Sequence, residues 1–187
     1  MKIHKDSIIE GLIIPVFKPF NWTSFDVVKK IRHDFKKSLD IKKIKVGHAG
    51  TLDPLATGLL LICTGKKTKE IEKLQNLDKT YYATFCIGKT TPSFDRETEF
   101  DKYYPIDHID DSLIEKSMKS FIGEIKQQPP IYSALKVKGK RLYEIARKGE
   151  DIKINYRKIN IYDFNLLDNN FPELDFKIRC SKGTYIR

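Results

Sequence analysis

Asp53 is the residue of this chain whose setting is best suited to chemistry. It lies in the stretch GHAGTLDPLATG, residues 47–58. Three glycines and a proline exclude a long helix or strand here, so the stretch is predicted to be a structured loop. A carboxylate held on such a loop can attack as a nucleophile and leave again. An aspartate before proline also commonly opens a turn, and His48 can equally be a packed or capping residue.

The elements beside this loop follow from hydrophobic spacing. The run LLLIC, residues 59–63, predicts a buried strand that anchors the loop. Residues 11–17 predict a strand that Pro15 confines to a sheet edge or a bulge. Thr23 and Asp26 have the spacing of a capping box, and the apolar residues that follow predict a helix over 24–37.

The downstream chain alternates between the two kinds of pattern. Helices are predicted over 66–77 and 110–121, and a strand over 79–88. Two further strands, 157–167 and 174–180, are predicted to flank a turn at 168–170. With no repeat and no low-complexity segment, the chain is predicted to form one domain.

Composition limits the partners and the compartment. The 187 residues carry a formal charge of +10, which favours a polyanion such as nucleic acid, although a lysine-rich composition can also reflect codon bias. Cys63, Cys86 and Cys180 lack ligand spacing, so no metal site is predicted. Cys63 and Cys86 lie in apolar, strand-like runs and are predicted to be core thiols of a reducing compartment. Without a signal peptide or an apolar run of about 18 residues, a cytoplasmic protein without membrane contact is expected, and it is expected to be a monomer.

Residues 47–58 match in full the signature of the TruB-type pseudouridine synthases, in which this stretch carries the essential aspartate. The chain also resembles that family at Lys18-Pro19, at the Thr23-Ser24 helix start, at the loop 90–95, and at KGTYIR, residues 182–187. It departs at Phe17, where an aspartate is common, and at Asn21, where a glycine is common. The resemblance implies an α+β catalytic domain over 1–187, with a mixed, mostly antiparallel central sheet flanked by helices.

A basic insertion is expected at about 125–151. Cationic residues interleaved with tyrosines suit a nucleic-acid contact surface, and the matching insertion of the family grips the stem-loop of tRNA. The residues predicted to bind RNA are Lys136, Lys138, Lys140 and Arg141. Upstream, the five lysines within 36–45 either form a solvated face or contact phosphates.

The resemblance also implies a reaction and a set of roles. A T-loop uridine of tRNA would be flipped out and isomerised to pseudouridine, with Asp53 as the catalytic residue and no cofactor. Tyr81 would stack on the base, Arg187 would pair with the Asp53 carboxylate, and His48 and Tyr185 would help to bind the substrate. Attack at C1′, attack at C6 and formation of a glycal all remain open routes.

Other functions compete with this prediction. A guide-RNA-dependent synthase of the Cbf5/dyskerin type is the nearest alternative, and the basic insertion favours the stand-alone enzyme. A non-catalytic RNA-binding module would not need Asp53, Tyr81 and Arg187 together, and a glycoside hydrolase would need a second paired carboxylate. Because family members continue beyond the KGTYIR motif with further core and a small RNA-binding domain, the chain is expected to be a fragment.

Overall fold

The computed structural model describes residues 4–133, 135–137, 139–142 and 154–187. It divides into two compact units, which we call unit 1 (Met1–Leu77) and unit 2 (Asp78–Arg187). Helices and strands are both present, and every strand pairing is antiparallel in the described residues. The predicted α+β class is therefore confirmed.

Unit 1 is a three-stranded sheet with one main helix. Its elements, in chain order, are α1 (Lys5–Glu10), β1 (Ile13–Lys18), α2 (Ser24–Ser38), β2 (Val46–His48), β3 (Gly58–Thr64), a 3-10 helix (Gly65–Glu70) and α3 (Ile71–Gln75). The sheet order is β1-β3-β2, so β1 is an edge strand, as Pro15 requires.

Helix α2 forms where its local signals predict. Thr23 accepts a bond from the Asp26 amide while the Asp26 carboxylate accepts one from the Thr23 amide, which completes the capping box. Its apolar stripe, represented by Val27 and Val28, packs on Leu60 and Ile62 of β3. These side chains fix the helix on one face of the sheet.

Unit 2 is built on a four-stranded antiparallel sheet. Its elements are β4 (Lys79–Cys86), β5 (Lys89–Thr90), β6 (Lys102–Tyr103), α4 (Asp111–Phe121), β7 (Gly123–Gln127), β8 (Lys136–Val137), β9 (Lys140–Arg141), β10 (Arg157–Asn170) and β11 (Glu173–Cys180). The main sheet has the order β4-β11-β10-β7, and β5-β6 and β8-β9 are small two-stranded ribbons.

The core of unit 2 lies on one face of this sheet. Alternate residues of β11 are buried there, among them Leu174, Phe176 and Ile178. The ring of Phe176 lies 4.8 Å from that of Phe85 and 5.0 Å from that of Phe164, in tilted and edge-on arrangements that aromatic pairs favour. Sequence periodicity of two placed these strands correctly.

Three predictions of detail are corrected. The turn predicted at 168–170 is wrong, because β10 continues to Asn170 and the chain reverses at Phe171 and Pro172. Strand β3 is not buried on both sides, since Leu59 is 67% exposed. The first residues assigned to the insertion, 125–127, belong to β7 and pair with β10.

The structure also bears on the predictions made for the cysteine thiols and for membrane contact. Cys63 and Cys180 are buried, Cys86 is half-buried, and all three thiols are free. Across the described residues, no helix is both long enough and apolar enough to cross a bilayer.

Candidate active site

The loop that carries Asp53 connects β2 to β3 and is shaped by its own backbone. Gly50 and Gly58 have φ values of +122° and +128°, which favour glycine, and they bracket the loop. The Ala49 amide donates to the Leu61 carbonyl at 2.8 Å, and the Ala56 amide donates to the Asp53 carbonyl at 3.0 Å. Asp53 therefore opens a tight turn and its side chain is half-buried.

Lys18, the last residue of β1, is buried beneath this loop. Its ammonium donates to three carbonyl oxygens, those of Trp22 at 2.6 Å, Pro19 at 2.9 Å and Pro54 at 3.1 Å. The bond to Pro54 ties the lysine to the residue that follows Asp53. Since the side chain is completely inaccessible to solvent, these bonds replace the hydration that burial removes.

The Lys18 charge also acts on Asp53. Burial lowers the pKa of the Lys18 ammonium below its usual 10.5, and the negative charge of Asp53 opposes part of that shift. The attraction is mutual, so a protonated Lys18 favours the ionised carboxylate of Asp53. A nucleophilic aspartate needs that ionised form.

Two further contacts hold the loop to the start of α2. The Leu52 amide donates to the Ser24 hydroxyl at 3.0 Å, and that hydroxyl lies 3.2 Å from the Leu52 carbonyl, to which it donates. The Asn21 amide donates to the Pro54 carbonyl at 3.0 Å. The residues on both sides of Asp53 are thus fixed to other elements, which limits the positions open to its carboxylate.

His48 ends β2, five residues before Asp53. Its Nδ1 contacts the Gly50 carbonyl oxygen. A carbonyl only accepts hydrogen bonds, so Nδ1 carries the proton and, in the neutral ring, Nε2 is the acceptor. The His48 residue as a whole is half-buried.

Unit 2 carries Tyr81 on its main sheet, and Tyr185 and Arg187 on the irregular segment after β11. Tyr81 lies in β4 and packs, half-buried, against the hydrophobic core. The Gln127 side chain forms two bonds with the Tyr185 backbone: its amide donates to the Tyr185 carbonyl at 2.8 Å and its oxygen accepts from the Tyr185 amide at 2.9 Å. This reciprocal pair fixes the segment that leads to Arg187.

Arg187 lies in a set of contacts internal to unit 2. One guanidinium nitrogen, Nη1, donates to the Asp95 carboxylate at 2.6 Å, and Nη2 donates to the Tyr132 carbonyl at 2.5 Å. The side chains of Arg187 and Asp95 are only 10% and 17% exposed, so they form a largely desolvated ion pair. The pairing of Arg187 with Asp53 that the family resemblance implies stays a prediction.

Asp95 is itself held by a compact loop. The Thr91 hydroxyl donates to the Asp95 carbonyl at 2.7 Å, and the Glu97 amide donates to the Asp95 carboxylate at 3.0 Å. Sequence reasoning assigned no role to Asp95, or to Lys18 and Ser24 in unit 1. The available signals were the resemblances of loop 90–95, of Lys18-Pro19 and of the Thr23-Ser24 helix start.

Three of the four residues predicted to grip RNA lie on the β8-β9 ribbon: Lys136, Lys140 and Arg141. Lys136 faces Arg141 across it, and Val137 faces Lys140. The ribbon is closed by a 2.8 Å bond from the Leu142 amide to the Leu135 carbonyl. Lys138 lies outside the described residues.

A cavity of about 640 Å³ lies in unit 2 between α4 and the sheet. Its walls are mostly apolar and include Ile114, Met118 and Phe164, together with Tyr185 and Arg187. Such walls offer few groups that could bind the polar edge of a base. No group of three or more His, Cys, Asp or Glu side chains able to hold a metal occurs among the described residues.

Comparison with known proteins identifies a family whose sequences match most of this chain. The model for the TruB family pseudouridylate synthases (N-terminal domain) matches residues 36–186. A relative from Phocaeicola vulgatus is 54% identical over 178 residues, covering 95% of this chain and 76% of the relative. One from Flavobacterium johnsoniae is 52% identical over 183 residues, covering 97% and 80%. Both are named tRNA pseudouridine synthase B.

Solved structures are more distant. A crystal structure of a Cbf5-Nop10-Gar1 complex matches with a TM-score of 0.65 and 28% identity, over 96% of this chain and 42% of that one. An H/ACA RNP bound to a substrate RNA containing 2′-deoxyuridine matches with a TM-score of 0.62 and 26% identity, over 96% and 40%.

An α+β fold with a carboxylate on a rigid, glycine-bracketed loop defines the class as a pseudouridine synthase. The family model covers residues 36–186, and the two relatives are 54% and 52% identical over most of this chain. The chain belongs to the TruB family of pseudouridylate synthases.

Proposed function

We propose that this protein isomerises a uridine in the T loop of tRNA to pseudouridine, as a monomer and without guide RNA. The observation that carries the proposal is the Asp53 loop, where a buried cation and several backbone anchors hold a single carboxylate. The names of two matched relatives, tRNA pseudouridine synthase B in both cases, support the substrate class. We further propose that residues 1–187 act as the catalytic domain.

The reaction requires one bond to be exchanged for another. The bond from N1 of uracil to C1′ of ribose breaks, and a bond from C5 to C1′ forms. The hydrogen on C5 leaves as a proton and N1 gains one, so substrate and product are isomers. Atoms and charge balance without an oxidant or a metal.

Asp53 is the proposed catalytic residue. Its carboxylate attacks C1′ or C6, or removes a ribose proton to give a glycal, and regenerates when the new bond forms. The loop anchors reduce the reorganisation needed to bring the carboxylate to the reacting atom. The positive Lys18 keeps the carboxylate charged in a partly desolvated setting.

The remaining roles concern the substrate. Tyr81 stacks on the flipped base, and Tyr185 and Arg187 bind the nucleotide, with Asp95 positioning the arginine. His48, through Nε2, contacts the flipped backbone. The backbone register of the β8-β9 ribbon places Lys136 opposite Arg141 and Val137 opposite Lys140, so three cationic residues fall on one short element. We therefore propose the ribbon as part of the grip on the T stem-loop.

The test uses unmodified tRNA transcript and purified protein with no other component. A carbodiimide that labels pseudouridine, read by primer extension, should give a single new stop in the T loop. Product that appears only with added guide RNA and protein would favour the Cbf5 type of enzyme, to which this chain is only 25–28% identical. Tight tRNA binding with no product at all would favour a non-catalytic RNA-binding module.

A further inference from the structure

Unit 1 carries a dense basic surface remote from Asp53. Within 36–45 there are five exposed lysines and one acid, Asp40. We call these lysines the basic segment: Lys36, Lys37, Lys42, Lys43 and Lys45. Over the described part of the chain, none of the five has a carboxylate within ion-pair distance.

Other lysines of unit 1 are neutralised. Lys29 pairs with Asp26 at 3.3 Å, Lys30 with Asp34 at 2.8 Å, and Lys66 with Glu10 at 2.8 Å. The nearest acid to the basic segment along α2, Asp34, is thereby already paired. The basic segment therefore carries positive charge that these ion pairs do not neutralise.

The basic segment is held on a fixed scaffold. Ile41 and Val46 are buried and Ile44 packs on the same core, so the lysines between them point to solvent. The Ile41 amide donates to the Lys36 carbonyl at 3.2 Å and the Gly65 amide donates to the Lys45 carbonyl at 3.0 Å. The folded backbone thus sets the spacing of the charges.

Stability of α2 does not explain the whole segment. Lys36 and Lys37 lie in the last turn of the helix, where positive charge complements the helix dipole. Lys42, Lys43 and Lys45 lie beyond the helix and have no such role. Charges this near to one another repel across less than a Debye length of about 10 Å, and a polyanion would relieve the repulsion.

The basic segment and the Asp53 loop lie at opposite ends of α2. The helix begins at Ser24, which bonds Leu52 of the loop, and rises about 18 Å from there to Lys36, the first residue of the basic segment. One ligand that engages both ends must therefore be long and polyanionic. RNA meets both conditions.

We propose that the basic segment binds phosphate groups of tRNA outside the T stem-loop while the Asp53 loop engages the target uridine. This inference rests on the proposed function, because it takes tRNA as the substrate. It adds a second contact surface in unit 1, distinct from the β8-β9 ribbon. Affinity for whole tRNA then exceeds affinity for its isolated T stem-loop.

Two charge-matched double variants test the inference. Lys42→Gln/Lys43→Gln removes two charges from the basic segment, and Lys30→Gln/Lys66→Gln removes two that are paired with acids. Binding to whole tRNA and to a hairpin limited to the T stem and loop is measured over a range of salt. For whole tRNA, the first variant should lower the slope of log K against log salt by about 1.5, given 0.7 to 0.9 for each phosphate contact.

The control variant should bind both RNAs as the wild type does, and the hairpin should not distinguish the two variants. Equal losses in both double variants, equal losses on both RNAs, or no loss on whole tRNA would each overturn the inference. The proposed function is scored separately, by pseudouridine formation in the hairpin by the wild type. Absence of product there refutes the function, while the basic segment is still judged on binding to whole tRNA.

Discussion

Replacing Lys18 tests whether a buried cation holds the Asp53 loop. In Lys18→Met the apolar side chain fills similar volume, but the carbonyls of Pro19 and Trp22 lose their donor, and that of Pro54 keeps only the Asn21 amide. Each buried unsatisfied carbonyl costs about 1–3 kcal/mol, and relief of the lysine desolvation returns part of the total. We expect the free energy of unfolding of the 187-residue chain to fall by about 3 kcal/mol.

Trp22 provides the assay, because it is the only tryptophan of the chain and lies beside Lys18 in unit 1. Urea unfolding followed by its fluorescence should show the loss, and heating should show a midpoint lower by about 9 °C, at about 2–4 °C for each kcal/mol. The matched control is Lys30→Met, whose surface ion pair is worth at most about 0.5 kcal/mol. A Lys18→Met change below about 1 kcal/mol would refute the reasoning.

The pH dependence follows from the lowered pKa of Lys18. Between that folded pKa and the usual 10.5, the unfolded chain binds more protons at this site than the folded one. The contribution of the site to stability should therefore rise with pH across this alkaline window and fall again as pH drops through the folded pKa. Compared over the same window, the deficit of Lys18→Met relative to wild type should widen as pH increases, and a constant deficit would contradict the assigned shift.

Three further variants test the site, two with one substitution and one with three. Asp95→Asn should destabilise unit 2 by about 3 kcal/mol in urea unfolding, because it removes the carboxylate charge that lies 2.6 Å from the largely buried Arg187 guanidinium, whereas Asp101→Asn, at an exposed aspartate, should cost little. Tyr81→Phe should keep stacking and tRNA affinity but lower the single-turnover rate by at least tenfold, and a wild-type rate would return Tyr81 to a packing role. A third variant removes three charges from the ribbon region, those of Lys136, Lys138 and Arg141. It should lower the slope of log K against log salt for hairpin binding by about 2, and an unchanged slope would exclude this region as the grip on the T stem-loop.

The parts of the fold that sequence predicted are those set by local signals. Thr23 and Asp26 cap α2 through side chains three residues apart, and Pro15 confines β1 to an edge by lacking an amide donor. The turn at 168–170 failed because Asp168 bonds the Asn169 amide while pairing with β11 continues past it. Here cross-strand pairing outweighed turn preference.

In the candidate site too, the features set by local sequence could be predicted and the long-range contacts could not. The glycine-bracketed loop could be predicted because positive φ values leave a composition signal at Gly50 and Gly58. The burial of Lys18 depends on a carbonyl 36 positions away, and the Arg187–Asp95 pair joins residues 92 positions apart. Contacts over such separations depend on tertiary packing, which no local pattern encodes.

The most direct test of the account is release of the uracil C5 hydrogen from tRNA labelled with tritium at that position. Wild type should release one tritium for each T-loop uridine converted, in a single turnover. Asp53→Asn, which keeps the shape of the side chain but not its charge, should release none while binding tRNA with near wild-type affinity. Substantial release by Asp53→Asn would contradict the claim that the Asp53 carboxylate performs the chemistry.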